Sequence, residues 1–233
     1  MKVSLIVLAI IAATCTLAAQ TPLEAPAMEQ ILTVDEFSDV VKSVWDVIKK
    51  GADDYQDETI TRSEFETASE FEARLQKRHN DIAATIQTFA ESKKIGQRLF
   101  GVWMQATLVK YNADTQIYTV TSPTKIIVPP SAQNITTACP QNPYIILSEK
   151  NEKGYKFAHL LLKTKPEYSW HVDKETARKA KNNEGNMFFK VWFRFDLSQA
   201  FTGTQGQITI IPVKISLMNK ADSTTFWSDD IIK

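Results

Sequence analysis

The chain has 233 residues, and 27 lysines and arginines balance 27 aspartates and glutamates, so its formal net charge is zero. That length can bury a full hydrophobic core without disulfide staples. With 7 glycines and 2 cysteines, it has no Walker-type or dinucleotide glycine pattern, no His-Glu-x-x-His and no Cys-x-x-Cys, so neither a nucleotide cofactor nor a metal is expected.

Residues 1–19 read as a secretory signal peptide. Lys2 is a minimal positive n-region, an apolar run follows that is broken by Ser4 and Thr14, and Ala18 and Ala19 offer a small-residue cleavage site. An uncleaved anchor is the first alternative, although a spanning helix needs roughly 20 apolar residues. Lipidation of Cys15 is the second; bacterial lipoprotein signals place Leu and a small residue where this chain has Ala12 and Thr14. Cleavage leaves residues 20–32, with Pro22 and Pro26, as an exposed leader. Cys15 departs with the signal, so the mature chain keeps Cys139 alone and closes no internal disulfide. The expected compartment is periplasmic or secreted, in a bacterium, where the sequon Asn134-Ile135-Thr136 is silent. The mass of the exported protein is expected to begin after Ala18 or Ala19; an intact Met1 or a lipid on Cys15 contradicts this.

One domain is expected over residues 33–233. Thr33 and Glu36 make a capping box, and Phe37, Val40, Val41, Val44, Trp45 and Ile48 place one apolar stripe on a helix. Lys49, Lys50 and Gly51 read as its end, with an acidic connector (Asp53, Asp54, Asp57, Glu58) up to residue 60. A longer helix is expected within 61–95, capped at Thr61/Glu64 or Thr67/Glu70. Its apolar face is Phe71, Leu75, Ile82, Ile86 and Phe89, and His79 sits at the core edge with one nitrogen satisfied. From residue 99 the pattern turns to strands. Residues 103–110 and 116–121 read as one hairpin around Asn112-Ala113-Asp114-Thr115. A proline-rich loop with one short strand at 125–128 follows. A second hairpin spans 144–148 and 155–162.

Asp173 opens a short helix over 173–182 with Ala177 and Ala180 inward. Residues 187–197 alternate Phe189, Val191, Phe193, Phe195 and Leu197 against Phe188, Lys190, Trp192, Arg194 and Asp196, which places the first set on the core. Pro212 lies in the next strand, at an edge or bulge, and residues 224–232 suggest a last one. Helices before strands argue an α+β fold: two N-terminal amphipathic helices on a largely antiparallel sheet, with one short helix inserted between strands.

The run Phe65-Glu66-Thr67-Ala68-Ser69-Glu70-Phe71-Glu72-Ala73-Arg74, followed by the hairpin, resembles exported bacterial proteins of unknown function. So does Asp173-Lys174-Glu175-Thr176-Ala177-Arg178 before an aromatic strand. The resemblance covers residues 65–197 in outline and implies the compartment and the α+β fold, with no activity or site.

Charge is segregated. Residues 24–72 hold 14 acidic side chains against 4 basic ones, whereas residues 73–233 hold 22 basic against 13 acidic. The two fields either compensate on folding or persist as surfaces that attract ions. Lys174, Arg178 and Lys181 share a helical face as a candidate anion patch. Lys190, Trp192 and Arg194 line a candidate stacking face for sugars or peptides. The expected partner is a protein or an anionic envelope polymer, with no nucleic acid and no membrane span after signal removal. The reading is an exported, non-enzymatic binding or envelope protein. Its alternative is a hydrolase built on Cys139 with His159, His171 or scattered carboxylates, which requires a base within reach of the thiol.

Overall fold

The structure is a computed structural model that describes residues 28–59, 61–132, 134–150, 159–202 and 205–232. The signal segment, the leader before Met28 and the turns expected around Gly154 and Gly203 lie outside the described residues. In chain order the elements begin with β1 (Met28–Leu32), α1 (Val34–Thr59) and α2 (Ala68–Ser92). Strands β2 (Arg98–Gln105), β3 (Thr107–Asn112), β4 (Ile117–Thr121), β5 (Lys125–Val128) and β6 (Ile135–Ala138) follow. Next come β7 (Ile145–Lys150), β8 (His159–Thr164), β9 (Tyr168–His171) and α3 (Lys174–Asn182). The chain finishes with β10 (Met187–Asp196), β11 (Phe201–Thr202), β12 (Gln205–Asn219) and β13 (Thr225–Asp230). The fold is α+β.

Helix α1 starts where the capping box placed it. The Thr33 hydroxyl accepts from the Glu36 amide at 3.2 Å, and the Glu36 carboxylate accepts from the Thr33 amide at 2.7 Å. It does not end at Gly51; the expected acidic connector is its last two turns. The apolar stripe continues through buried Ala52 and Tyr55, and Lys49 pairs with Asp53 one turn on, as Lys42 does with Asp46. Such spacing stabilises a helix interior as well as an end. Gly51 serves packing instead. A Cβ there would lie 2.6 Å from Ile82 Cγ2, so the glycine lets α2 cross α1 closely. Helix α2 uses the Thr67–Glu70 capping box, not the Thr61 option. His79 stacks on Phe201 of β11 with centroids 5.4 Å apart. Neither of its ring nitrogens finds a hydrogen-bond partner among the described residues, where the sequence suggested one would.

The main sheet runs β1-β2-β10-β12-β11, with β13 and β6 also paired to β12. It is antiparallel except for β1 on β2 and β6 on β12. Its inner face carries Phe100, Val102, Phe189, Val191, Phe193 and Phe195, all buried. Phe37 of α1 enters this face and meets the rings of Phe100, Phe193 and Phe195 at 6.2, 4.9 and 5.9 Å. Pro212 sits opposite Phe193 beside a register shift, so the bulge absorbs its missing donor.

Two antiparallel sheets of three strands complete the fold, β3-β4-β9 and β5-β8-β7. The single strand expected over 103–110 is split between sheets. The Ala106 amide donates to the Met187 carbonyl at 3.0 Å as the chain leaves the main sheet. Buried Val102, Met104, Ala106 and Leu108 alternate through the break, and a two-residue period carries no record of which partner strand lies alongside. Strand β1 occupies part of the expected leader, β6 arises in a stretch read as loop, and β9 forms where no element was assigned. Their partners are remote in sequence, which is why short local windows missed them. Helix α3 is as expected, with the Asp173 carboxylate accepting from the Glu175 and Thr176 amides at 2.9 Å each.

Candidate functional site

The Cys139 reading places a thiol just beyond β6, half-buried and packed against the core. Burial pushes its pKa up to about 12, the opposite of an activated nucleophile, whose thiolate is favoured. Among the described residues no histidine hydrogen-bonds it. His171 is exposed at the end of β9, and the His159 side chain lies outside the described residues. Iodoacetamide at pH 8 is expected to alkylate Cys139 on the order of a thousandfold more slowly in the native protein than in urea, following the thiolate fractions. Equal rates would contradict the burial. No group of three His, Cys, Asp or Glu side chains among the described residues is arranged to hold a metal ion. No described helix is long and apolar enough to cross a membrane.

The α3 cations do not converge on one site. Lys181 donates to the Leu108 carbonyl at 3.1 Å and pairs with Glu184 at 2.5 Å, while Glu184 accepts from the Leu108 amide at 2.8 Å. Lys181 therefore ties α3 to β3. Lys174 and Arg178 remain exposed on the helix.

Lys190, Trp192 and Arg194 do share the outer face of β10, as the alternation required, but that face is not open. Lys190 and Arg194 are 8% and 9% exposed. Lys190 Nζ bonds the Glu29 carboxylate of β1 and stands 4.5 Å from the Trp192 ring and 5.6 Å from Trp103. Lys214 lies over Trp192 at 5.6 Å, and Lys220 stands over Phe188 and Trp103 at 5.0 and 5.7 Å. Burial works against the Glu29 carboxylate, yet its bonds from Lys190 and Trp192 hold its pKa below the usual range. Burial pushes the Arg194 guanidinium down, and its Nε finds no hydrogen-bond partner among the described residues. The chain's own lysines thus occupy the π-faces that a ligand would need. The cation–π contacts hold the sheet's outer layer together.

A different cluster encloses free volume. A cleft of about 260 Å³ lies where β9 approaches the inner face near β12 and β13, walled by Tyr144, Tyr168, Trp170 and Trp227 with Phe189 and Leu217 at its floor. Local chemistry delivers each wall. The Asn142 side chain accepts from the amides of Tyr144 and Ile145 at 2.9 and 2.6 Å, a turn that presents Tyr144 ahead of β7. The Tyr144 hydroxyl donates to Asp229 of β13, and the Tyr168 hydroxyl donates to the Tyr144 carbonyl at 2.7 Å. Tyr144 and Tyr168 stack at 5.6 Å, whereas Trp227 meets Tyr144 edge-on at 5.5 Å with planes 68° apart. Tyr168 also packs on Phe189 at 4.7 Å.

The walls are therefore rings at two orientations, the two tyrosines among them held by hydrogen bonds from their hydroxyls. Exposed Glu167 and Ser169 stand at the mouth. Burial, then Asp229, pushes the Tyr144 hydroxyl up to about 12, and burial raises Tyr168 also. Both phenols stay neutral donors at ordinary pH. A larger space of about 470 Å³ lies between α1 and α2, floored by Ile82, Ile86 and Phe89. It is the seam opened by the Gly51 crossing, and it gathers no comparable ring cluster.

The chain matches no protein-family model, no curated protein and no solved structure. Local sequence patterns do not bring Trp170 and Trp227 together, and they single out neither Tyr144 nor Tyr168. The available signal was an aromatic beside a turn or strand start in each case: Pro143-Tyr144, Tyr168-Ser169-Trp170 and Phe226-Trp227.

Proposed function

We propose that this chain is an exported, non-catalytic binding protein of a bacterial envelope, and that it holds a small ligand in the aromatic cleft. The observation that carries the reading is the cleft itself, where rings at two orientations meet an exposed carboxylate and hydroxyl around free volume. Concave sites in which aromatic side chains meet a few convergent polar groups are where folded domains hold small ligands. The thiol hydrolase has less support, because burial holds Cys139 protonated and no histidine hydrogen-bonds it among the described residues. Export rests on the signal-like N-terminus.

Nitrogen–proton NMR of the full exported chain tests the site with four probes: glucose, acetate, choline and 3,3-dimethylbutan-1-ol. At least one is expected to shift the indole signals of Trp170 and Trp227 saturably, while those of Trp103 and Trp192 stay in place. A panel that leaves both cleft indoles unmoved overturns the reading.

A further inference from the structure

The geometry points to a specific ligand class for this cleft: a compact organic cation bearing an alkylated ammonium group. The inference rests on the binding reading above and adds its chemistry. Three observations favour positive charge. Tyr144 and Tyr168 stack on each other and Trp227 meets Tyr144 edge-on, so a group entering the cleft meets rings at two orientations. Ring faces are electron-rich and attract cations within about 6 Å of the centroid.

The one charged side chain among the residues lining the cleft is acidic. Glu167 stands exposed at the mouth, and Asp229 lies behind the Tyr144 hydroxyl that it accepts from. Neither lysine nor arginine is among the residues lining the cleft.

The third observation comes from the outer face of the main sheet. There the chain covers Trp103, Phe188 and Trp192 with its own Lys190, Lys214 and Lys220. Among the described residues no lysine or arginine stands over a ring of the cleft cluster. The outer face thus supplies its own cations, whereas the rings of the cleft meet none from within the described residues. A volume of about 260 Å³ falls just below the range for drug-sized ligands, roughly 300–1,000 Å³, which suits a single alkylammonium group with a short tail.

Two of the four probes isolate charge, because choline and 3,3-dimethylbutan-1-ol have nearly the same shape and differ by the quaternary nitrogen. Titrations of the full exported chain, at constant ionic strength held with sodium chloride, are expected to show choline binding about tenfold more tightly than the neutral alcohol. Glu167→Gln, at an exposed position that leaves the core intact, is expected to weaken choline severalfold and leave the alcohol unchanged. Trp227→Leu is expected to weaken choline about tenfold, with the indole signal of Trp170 reporting that the fold survives. Equal binding of choline and the alcohol, or binding of glucose or acetate alone, overturns the cation assignment and leaves the cleft as the site. Silence from every probe overturns both.

Discussion

Replacing Phe37 with alanine is expected to lower the free energy of unfolding by about 4 kcal/mol, within the span seen when buried aromatic residues are truncated. Phe37 is fully buried, and its ring contacts three others on two strands of the main sheet. The loss has two parts. The ring's transfer from water is forfeited, and a cavity remains because Phe100, Phe193 and Phe195 are held in position by β2 and β10 and collapse only partly. Since single domains are stable by about 5–15 kcal/mol, the variant is expected to sit near its unfolding threshold. Urea unfolding checks this through a lower midpoint at unchanged slope. A loss under about 1.5 kcal/mol, well below the usual range, would mean that α1 is not seated on this face. Phe37→Leu is expected to recover most of the stability, because it restores most of the volume.

Gly206→Ala carries the second large effect. A Cβ at this buried position would lie 2.3 Å from Ile48 Cγ2 and 3.2 Å from the Ala200 carbonyl oxygen. The first contact forces the Ile48 side chain or α1 itself to shift, and Ile48 is fully buried. The second constrains escape in the other direction, and the Gly206 amide is tied to the Asn134 carbonyl at 2.6 Å. Overpacking of this kind costs about 1–3 kcal/mol, and we expect about 2 kcal/mol here. A double-mutant cycle identifies the cause. In an Ile48→Ala background the clashing methyl is absent, and Gly206→Ala is expected to cost less than about 0.5 kcal/mol, so the pair couples strongly. Additive losses in denaturant melts would show that the close approach of α1 to β12 is wrong.

Both predictions concern the seam between helix and sheet, and that seam separates what could be read from what could not. The Phe37 stripe was legible because side chains at three- and four-residue spacing must share a helical face. That Gly206 lies beneath Ile48 was not, because the two residues are 158 positions apart in the numbering and no local pattern relates them. Gly51 shows the same limit at shorter range. Read locally, a glycine after two lysines stops a helix; in the fold it admits Ile82, and the helix continues because Ala52 and Tyr55 find burial.

The candidate site was harder still to foresee. Lys190, Trp192 and Arg194 were correctly grouped on one face of β10, yet their availability depended on Lys214, Lys220 and Glu29, which arrive from β12, the turn after it and β1. The cleft draws its walls from the turn before β7, from β9 and from β13. The bond from Tyr144 to Asp229 spans 85 positions. Aromatic residues at strand ends are common, and their spacing does not announce a cavity.

By itself the sequence determined the signal-like N-terminus, the single cysteine left after it, the helix caps, the two amphipathic stripes and the alternation of β10. These follow from composition and from periodicities of a few residues, which local stereochemistry enforces. The tertiary structure decided which strands pair, where α1 really ends, that the outer lysines fill their own aromatic faces, and that four distant rings enclose a cleft. Those outcomes depend on contacts between segments far apart in the chain, whose free energies come from packing and desolvation and leave no local signature.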